Sequence, residues 1–344
     1  MGSQVTLLDV AERAGVSLAT ASRVVNGSER EVGASFRERV LAAAAELGYT
    51  ANTFAQAMAR GRSDVVGLLL PDIRDPYLSV IAAAATSVVQ PSGELMLGTT
   101  MHSPGQELRY VTTMRARQAR GLIVVGSRTT DAAHTRELTR AIAGFVASGG
   151  RVAVIGQDKL EADTVLPQNR AGARDLVSAL AEQGHRTFAV LAGPKNLLTA
   201  RDRLDGFVDG LGKRGIRAAV VVHGEFNRDG GYRAMSELLA RKTLPGCVFA
   251  VNDVMAIGAM AAVRDRGLRV PDDVAIAGFD DIPTLRDVAP SLSTVRLPLE
   301  DMGRAAAQMV VDEPSAPNRR VLRVKGEVVL RESTALDKGK APSR

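Results

Sequence analysis

Thr6-Leu-Leu-Asp-Val-Ala-Glu-Arg-Ala-Gly-Val-Ser17, followed by Leu18-Ala-Thr-Ala-Ser-Arg-Val-Val25, is the stretch whose reading decides the fold. Thr6 and Asp9 stand three apart, a hydroxyl N-cap and a carboxylate that predict a capping box opening a helix. Leu7, Val10, Ala11 and Ala14 form its apolar stripe. Gly15 follows, where a tight turn needs positive φ. Val16 plugs the angle between two helices, and Ser17 caps a second whose inner face is Ala21, Val24 and Val25. Two short helices joined this way form a helix-turn-helix, the second of which enters the DNA major groove.

That second helix exposes Leu18, Ala19, Thr20, Ser22 and Arg23. Arg23 is the expected reader, because a guanidinium fork bonds guanine O6 and N7 together. Ser17, Thr20 and the helix N-terminus are expected at phosphates, and Leu18 and Ala19 offer only apolar contact. Electrostatics add little: within residues 1–62, seven arginines oppose six acids, a net charge of +1. The motif, not the charge, carries the DNA reading.

Beyond Gly61-Arg62-Ser63 the texture changes. Short apolar runs recur, each followed by a helical pattern: Val65–Leu70, Leu95–Leu97, Leu122–Val125, Val152–Ile155, Phe188–Leu191, Val220–Val222, Val248–Val251 and Val274–Ala277. This alternation predicts βαβ units in two doubly wound α/β lobes with parallel sheets. The runs end in Pro71-Asp72, Gly126-Ser127, Gly156-Gln157, Ala192-Gly193, Asn252-Asp253 and Asp280-Asp281. Ligands of open parallel sheets bind beyond the carboxyl ends of the strands. Each such residue taken alone reads as a turn or cap; Arg203 and Asp280 together read as a hydrophilic small-molecule site.

The 344 residues suit two or three domains, and 45% hydrophobic with 24% charged residues is globular composition. The net charge of +6 is diffuse, and Lys338, Lys340 and Arg344 read as a solvated tail. Cys247, the single cysteine, excludes an internal disulfide and sits in an apolar run as a buried thiol. No span, no signal peptide and hence a soluble cytoplasmic protein are expected. Met1-Gly-Ser-Gln-Val-Thr6 meets the loose myristoylation pattern, but Thr6 is better used as a helix cap. Gly210-Leu-Gly-Lys-Arg-Gly215 matches G-x-G-x-x-G yet follows a helical stretch where a dinucleotide fingerprint needs a strand. Histidines 102, 134, 185 and 223 are scattered without metal-ligand spacing. An enzyme, a cofactor and a metal are therefore not expected.

The opening segment, with Ala19-Thr-Ala-Ser-Arg-Val-Val-Asn-Gly27, resembles regulators of the lactose-repressor/galactose-repressor (LacI/GalR) family. The resemblance continues through Glu46-Leu-Gly-Tyr49, Gly67-Leu-Leu-Leu-Pro-Asp72, Asn169-Arg-Ala-Gly-Ala173, Ala200-Arg-Asp-Arg-Leu-Asp-Gly-Phe207, Asn252-Asp-Val-Met-Ala-Ile-Gly258 and Gly278-Phe-Asp-Asp281. It implies a DNA-binding head at 1–50, a hinge helix and linker at 51–63, and a periplasmic-binding-protein-like sensor and dimerisation domain at 64–335. The sensor's first lobe would span about 64–165 and 293–325, its second about 166–292 and 326–335, with a disordered tail at 336–344. The implied partners are double-stranded operator DNA with palindromic half-sites, a second copy of the chain (a homodimer, often doubled to a tetramer) and a small effector, a sugar before a nucleoside or purine. Asn26, Tyr49, Asn52 and Ala55 join the implied DNA contacts, and Met58 takes the place of a leucine wedged into the minor groove. Effector roles fall on Asp75, Tyr77, Arg203, Asn252, Phe279 and Asp280. Departures from the family pattern lie at Glu29-Arg-Glu-Val32, Gly33, Phe36, Val165-Leu-Pro-Gln168 and Leu297.

Overall fold

The computed structural model describes residues 5–25, 32–50, 62–216, 220–312 and 318–336. The chain divides into two compact units, Met1–Asp64 and Val65–Arg344. In the first, α1 (Leu7–Ala14) begins with the expected capping box: the Asp9 amide donates to Thr6 Oγ1, and the Thr6 amide donates to Asp9 Oδ2 at 2.7 Å. Gly15 closes the helix at φ 63°, in the left-handed region. The Thr20 amide donates to Ser17 Oγ at 3.1 Å, capping α2 (Leu18–Val25). Val10, Ala11, Ala14, Ala21 and Val24 are buried with Val40 and Ala43 of α3 (Ala34–Glu46). Gly33 gives α3 no side-chain cap, the consequence of the glycine found there. Arg13 and Glu46 tie α1 to α3 at 2.6 Å.

Among the described residues, the second unit holds a six-stranded sheet, a four-stranded sheet and a two-stranded ribbon. The first lobe carries β1 (Ser63–Leu70), β2 (Glu94–Thr99), β3 (Ala119–Val125), β4 (Arg151–Ile155), β5 (Asp163–Pro167) and β11 (Val321–Val324), in the order β11-β5-β4-β3-β1-β2. The second carries β6 (Phe188–Ala192), β7 (Val220–His223), β8 (Cys247–Ala250) and β9 (Ala275–Ala277), in the order β7-β6-β8-β9, every neighbour parallel. Helices α4 (Pro76–Val89), α5 (Pro104–Ala116) and α6 (Ala132–Ala147) belong to the first lobe. Helices α7 (Asn169–Gln183), α8 (Leu198–Lys213), α9 (Arg228–Leu239) and α10 (Asp253–Asp265) belong to the second.

All eight apolar runs become strands, and all but Leu95–Leu97 contain Val or Ile. Their side chains are the core: Leu68, Leu70, Ile123, Val190, Phe249 and Ile276 are fully buried. The chain crosses between lobes after β5, which keeps to the first sheet as far as Pro167. β10 (Thr294–Arg296) pairs antiparallel with β12 (Glu327–Val329) and bridges through Arg296 to Asp280. The return crossing follows Arg296, since the Asp280 amide donates to the Val295 carbonyl at 2.8 Å. From there α11 (Leu299–Val311) packs on α4, β3 and β4 in the first lobe. Gly210–Gly215 is a helix end, with Gly215 at φ 66°.

Candidate functional site

Between the lobes lies a cavity of about 770 Å³, at the carboxyl ends of β1, β3 and β4 on one side and around the starts of α8 and α9 on the other. Short hydrogen bonds already span the lobes beside it. The Leu198 amide donates to the Arg128 carbonyl, the Thr130 amide to the Asn196 carbonyl, and Gln157 Nε2 to Thr199 Oγ1 at 2.8 Å.

Arg203 and Asp280 meet in the cavity wall, although 77 residues separate them. The guanidinium donates twice, at 2.7 and 3.2 Å, to the two carboxylate oxygens. It also donates to Asn169 Oδ1 at 2.9 Å and to the Val251 carbonyl at 2.8 Å. Its Cζ lies 4.0 Å from the Phe279 ring centroid. Arg203 is 3% exposed and Asp280 5%. Burial pushes the Asp280 carboxyl up, against the opposing pull of Arg203. Asp280 stands at φ 120°, a backbone region that costs a non-glycine residue roughly 1–3 kcal/mol and clusters at ligand sites. Asp281 beside it is held by Arg296 and Arg331, both at 2.7 Å.

Asp75 and Tyr77 face the same cavity. Asp75 caps α4 by accepting the Tyr77 amide at 3.0 Å. Burial pushes its carboxyl up, and burial together with the Asp280 carboxylate pushes the Tyr77 hydroxyl up. Asn252 and Phe279 do not reach the cavity. Asn252 Oδ1 accepts the Met255 amide at 2.9 Å, capping α10, and Phe279 is wholly buried beneath Arg203. At these two expected effector positions the structure shows supporting roles: one fixes a helix end, the other lies beneath the guanidinium.

Residues that sequence reasoning passed over also line the wall. Phe226 offers an aromatic face from the second lobe. A Cβ at Gly193 would lie 2.7 Å from its ring, so the glycine after β6 makes room for it. Glu107, Arg128 and His134 form a buried cluster from the first lobe. Arg128 donates to both oxygens of Glu107 at 2.6 and 3.0 Å, and His134 Nε2 lies 2.8 Å from Glu107 Oε2. Burial alone would raise the Glu107 carboxyl, but the hydrogen bonds and charges of Arg128 and His134 hold it below its ordinary value. No local pattern announces this cluster, since its members come from three separate segments. Cys247 is fully buried and burial pushes its thiol up, so it acts as a small hydrophobe. Among the described residues, no group of three or more His, Cys, Asp or Glu is placed to hold a metal ion.

In the head, Thr6, Ser17, Leu18, Ala19 and Arg23 are exposed, with Thr20, Ser22 and Tyr49 half-buried. The Ser17 and Thr20 hydroxyls bond each other at 2.9 Å. Asn26, residues 29–31 of the departure at Glu29-Arg-Glu-Val32, Asn52, Ala55, Met58, nearly all of the expected hinge and the tail from 337 lie outside the described residues. Among the described residues, no helix is long and apolar enough to cross a membrane.

A helix-turn-helix unit joined to two α/β lobes that enclose a polar cavity defines a class, the DNA-binding regulator with a periplasmic-binding-protein-like core. Residues 6–52 match the family of bacterial regulatory proteins of the lacI type, and residues 177–334 match the periplasmic binding protein-like domain. The chain is 33% identical over 311 residues to the HTH-type transcriptional repressor CytR of Escherichia coli K12, covering 90% of this chain and 89% of that one. It is 33% identical over 309 residues to GalR of the same organism, covering 89% and 88%. The Lac repressor dimer bound to operator and the anti-inducer ONPF superposes with TM-score 0.81 at 28% identity, over 97% of this chain and 100% of that one. The chain belongs to the LacI family of transcriptional regulators.

Proposed function

We propose that this regulator is a cytoplasmic repressor that binds a palindromic operator as a dimer and responds to a small hydroxyl-rich effector, a sugar, in the cavity between its lobes. The observation that carries the effector reading is the buried Arg203–Asp280 pair in the cavity wall. A carboxylate and a guanidinium side by side bond adjacent hydroxyls, and Phe226 and Tyr77 supply faces for a ring. In the head, Arg23 on the exposed side of α2 reads bases, and Ser17 and Thr20 meet phosphates. Asn26, Tyr49, Asn52, Ala55 and Met58 extend the DNA contacts, Met58 as an apolar wedge in the minor groove. A ligand that favours one lobe arrangement shifts DNA affinity by its differential binding to the two states. The relatives support the reading, for the Lac repressor dimer is bound to operator.

Selection of DNA from a random pool, followed by footprinting, tests it. An inverted repeat with half-site centres about one helical turn apart is expected. Enrichment of a single half-site, or of nothing, removes the dimeric-operator reading.

A further inference from the structure

We propose that Glu107, Arg128 and His134 form a second effector subsite in the first lobe, and that with Arg203 and Asp280 in the second they select an uncharged two-ring ligand, a disaccharide. The inference rests on the cavity being the effector site.

The cluster is costly to build for stability alone. Desolvating a carboxylate and a guanidinium together returns little net stabilisation against an apolar pair. Its placement in the cavity wall gives it a use. Arg128 Nε, although buried, has no hydrogen-bond partner in the structure. His134 commits Nε2 to the Glu107 carboxylate, and Nδ1 is its second polar atom for a ligand hydroxyl. Glu107 oxygens retain lone pairs for a hydroxyl donor. The group is also rigid. The Arg128 amide donates to Gln157 Oε1 at 2.8 Å, and its carbonyl accepts the Leu198 amide at 2.9 Å from across the cleft.

Charge and size set the ligand class. The arginines of the wall, 74, 128, 203 and 228, face Asp72, Glu107, Asp280 and Asp229 respectively. A phosphate would have to displace a carboxylate from its fork, so an anionic ligand is disfavoured. The cavity of about 770 Å³ lies well within the range of roughly 300–1,000 Å³ that encloses drug-sized ligands, which leaves room for two sugar rings. The aromatic faces, Tyr77 and Phe226, belong to the Arg203 surroundings and the second lobe. The Glu107 end is lined by Arg128, His134, Thr129, Thr135 and Ser103, a surface for hydroxyls and not for a stacked base.

The test is calorimetric titration of the full chain with neutral disaccharides of the common linkages, their monosaccharides, glucose 6-phosphate, and adenosine and cytidine. Wild type is compared with Glu107→Gln, His134→Ala and Arg203→Met, each checked for folding by thermal unfolding; His134→Ala keeps the Glu107–Arg128 pair and serves if Glu107→Gln fails to fold. One disaccharide should bind more tightly than either of its monosaccharides. His134→Ala and Glu107→Gln should each weaken it about tenfold, the loss of one hydrogen bond to a charged group, and leave the monosaccharides within about twofold. Arg203→Met should weaken both. Equal disaccharide affinity in wild type and both first-lobe variants overturns the subsite, as does preference for a monosaccharide, glucose 6-phosphate or a nucleoside; the hydroxylated-effector reading survives those results. If no probe binds wild type, both fall.

Discussion

Replacing Arg203 by Met removes one member of a pair that is almost wholly buried, and the consequences follow from its four hydrogen bonds. Asp280 would be left as a carboxylate without its counter-charge. Breaking a buried pair from one side costs about 3–5 kcal/mol, whereas replacing both partners is far cheaper. At about 2 °C per kcal/mol for a unit of this size, the midpoint of thermal unfolding should fall by roughly 6–10 °C. Asp280→Asn should cost a comparable amount by stranding the guanidinium. The double variant should be more stable than either single one, with a coupling energy of about 2–3 kcal/mol. The deficit of Arg203→Met should also depend on pH. Burial raises the Asp280 carboxyl, and loss of Arg203 raises it further. A carboxyl whose folded value lies above its unfolded one loses stability as pH rises through the folded value. The deficit should therefore shrink toward pH 5 and grow toward pH 8. Urea and thermal unfolding of the four proteins across that range provide the assay. Additive losses in the double variant, or a pH-independent deficit in Arg203→Met, would refute the reasoning.

Three further outcomes are expected. Thr6→Ala breaks the capping box of α1 and should cost the head about 1 kcal/mol, read as faster amide exchange in residues 7–14 with the lobes unchanged. Arg23→Ala should lose roughly 1–3 kcal/mol on the selected operator and much less on random DNA; an equal loss on both makes it a phosphate contact. Asp253, pushed up to about 6 by burial, should gain the wild type stability relative to Asp253→Asn as pH falls from 7.5 to 5, because its folded value exceeds its unfolded one; a constant difference contradicts that.

What was legible in the sequence was whatever a local pattern encodes. The Thr6–Asp9 capping box, the left-handed Gly15 and the Ser17 cap each need only a few residues of chemistry, and all are found. The eight apolar runs declare themselves by uninterrupted hydrophobicity. β5, β10, β11 and β12 do not, being interrupted or bounded by Asp163, Pro167, Arg296, Arg323 and Glu327. Their partners, distant in sequence, define them. The site divides in the same way. Asp280 stands out as an acid just beyond β9 and Arg203 as a cation in the helix that follows β6, and the fold brings them to 2.7 Å. That Asn252 and Phe279 point behind the wall is a matter of side-chain direction, which residue type does not specify. Glu107 sits in the first turn of α5 and His134 in the first turn of α6, on separate helices, so only packing reveals that they share Arg128.

The central claim is that a ligand in the cavity and DNA on the head share one free-energy balance, and reciprocity tests it most directly. Once a binding saccharide and an operator are in hand, its dissociation constant is measured with and without the operator, and the operator's with and without it. The account predicts that both ratios are equal and differ from one by about 5–150-fold, and that Arg203→Met removes ligand binding while operator affinity stays within about twofold of wild type. A saccharide that binds equally well to the free and DNA-bound protein would contradict it.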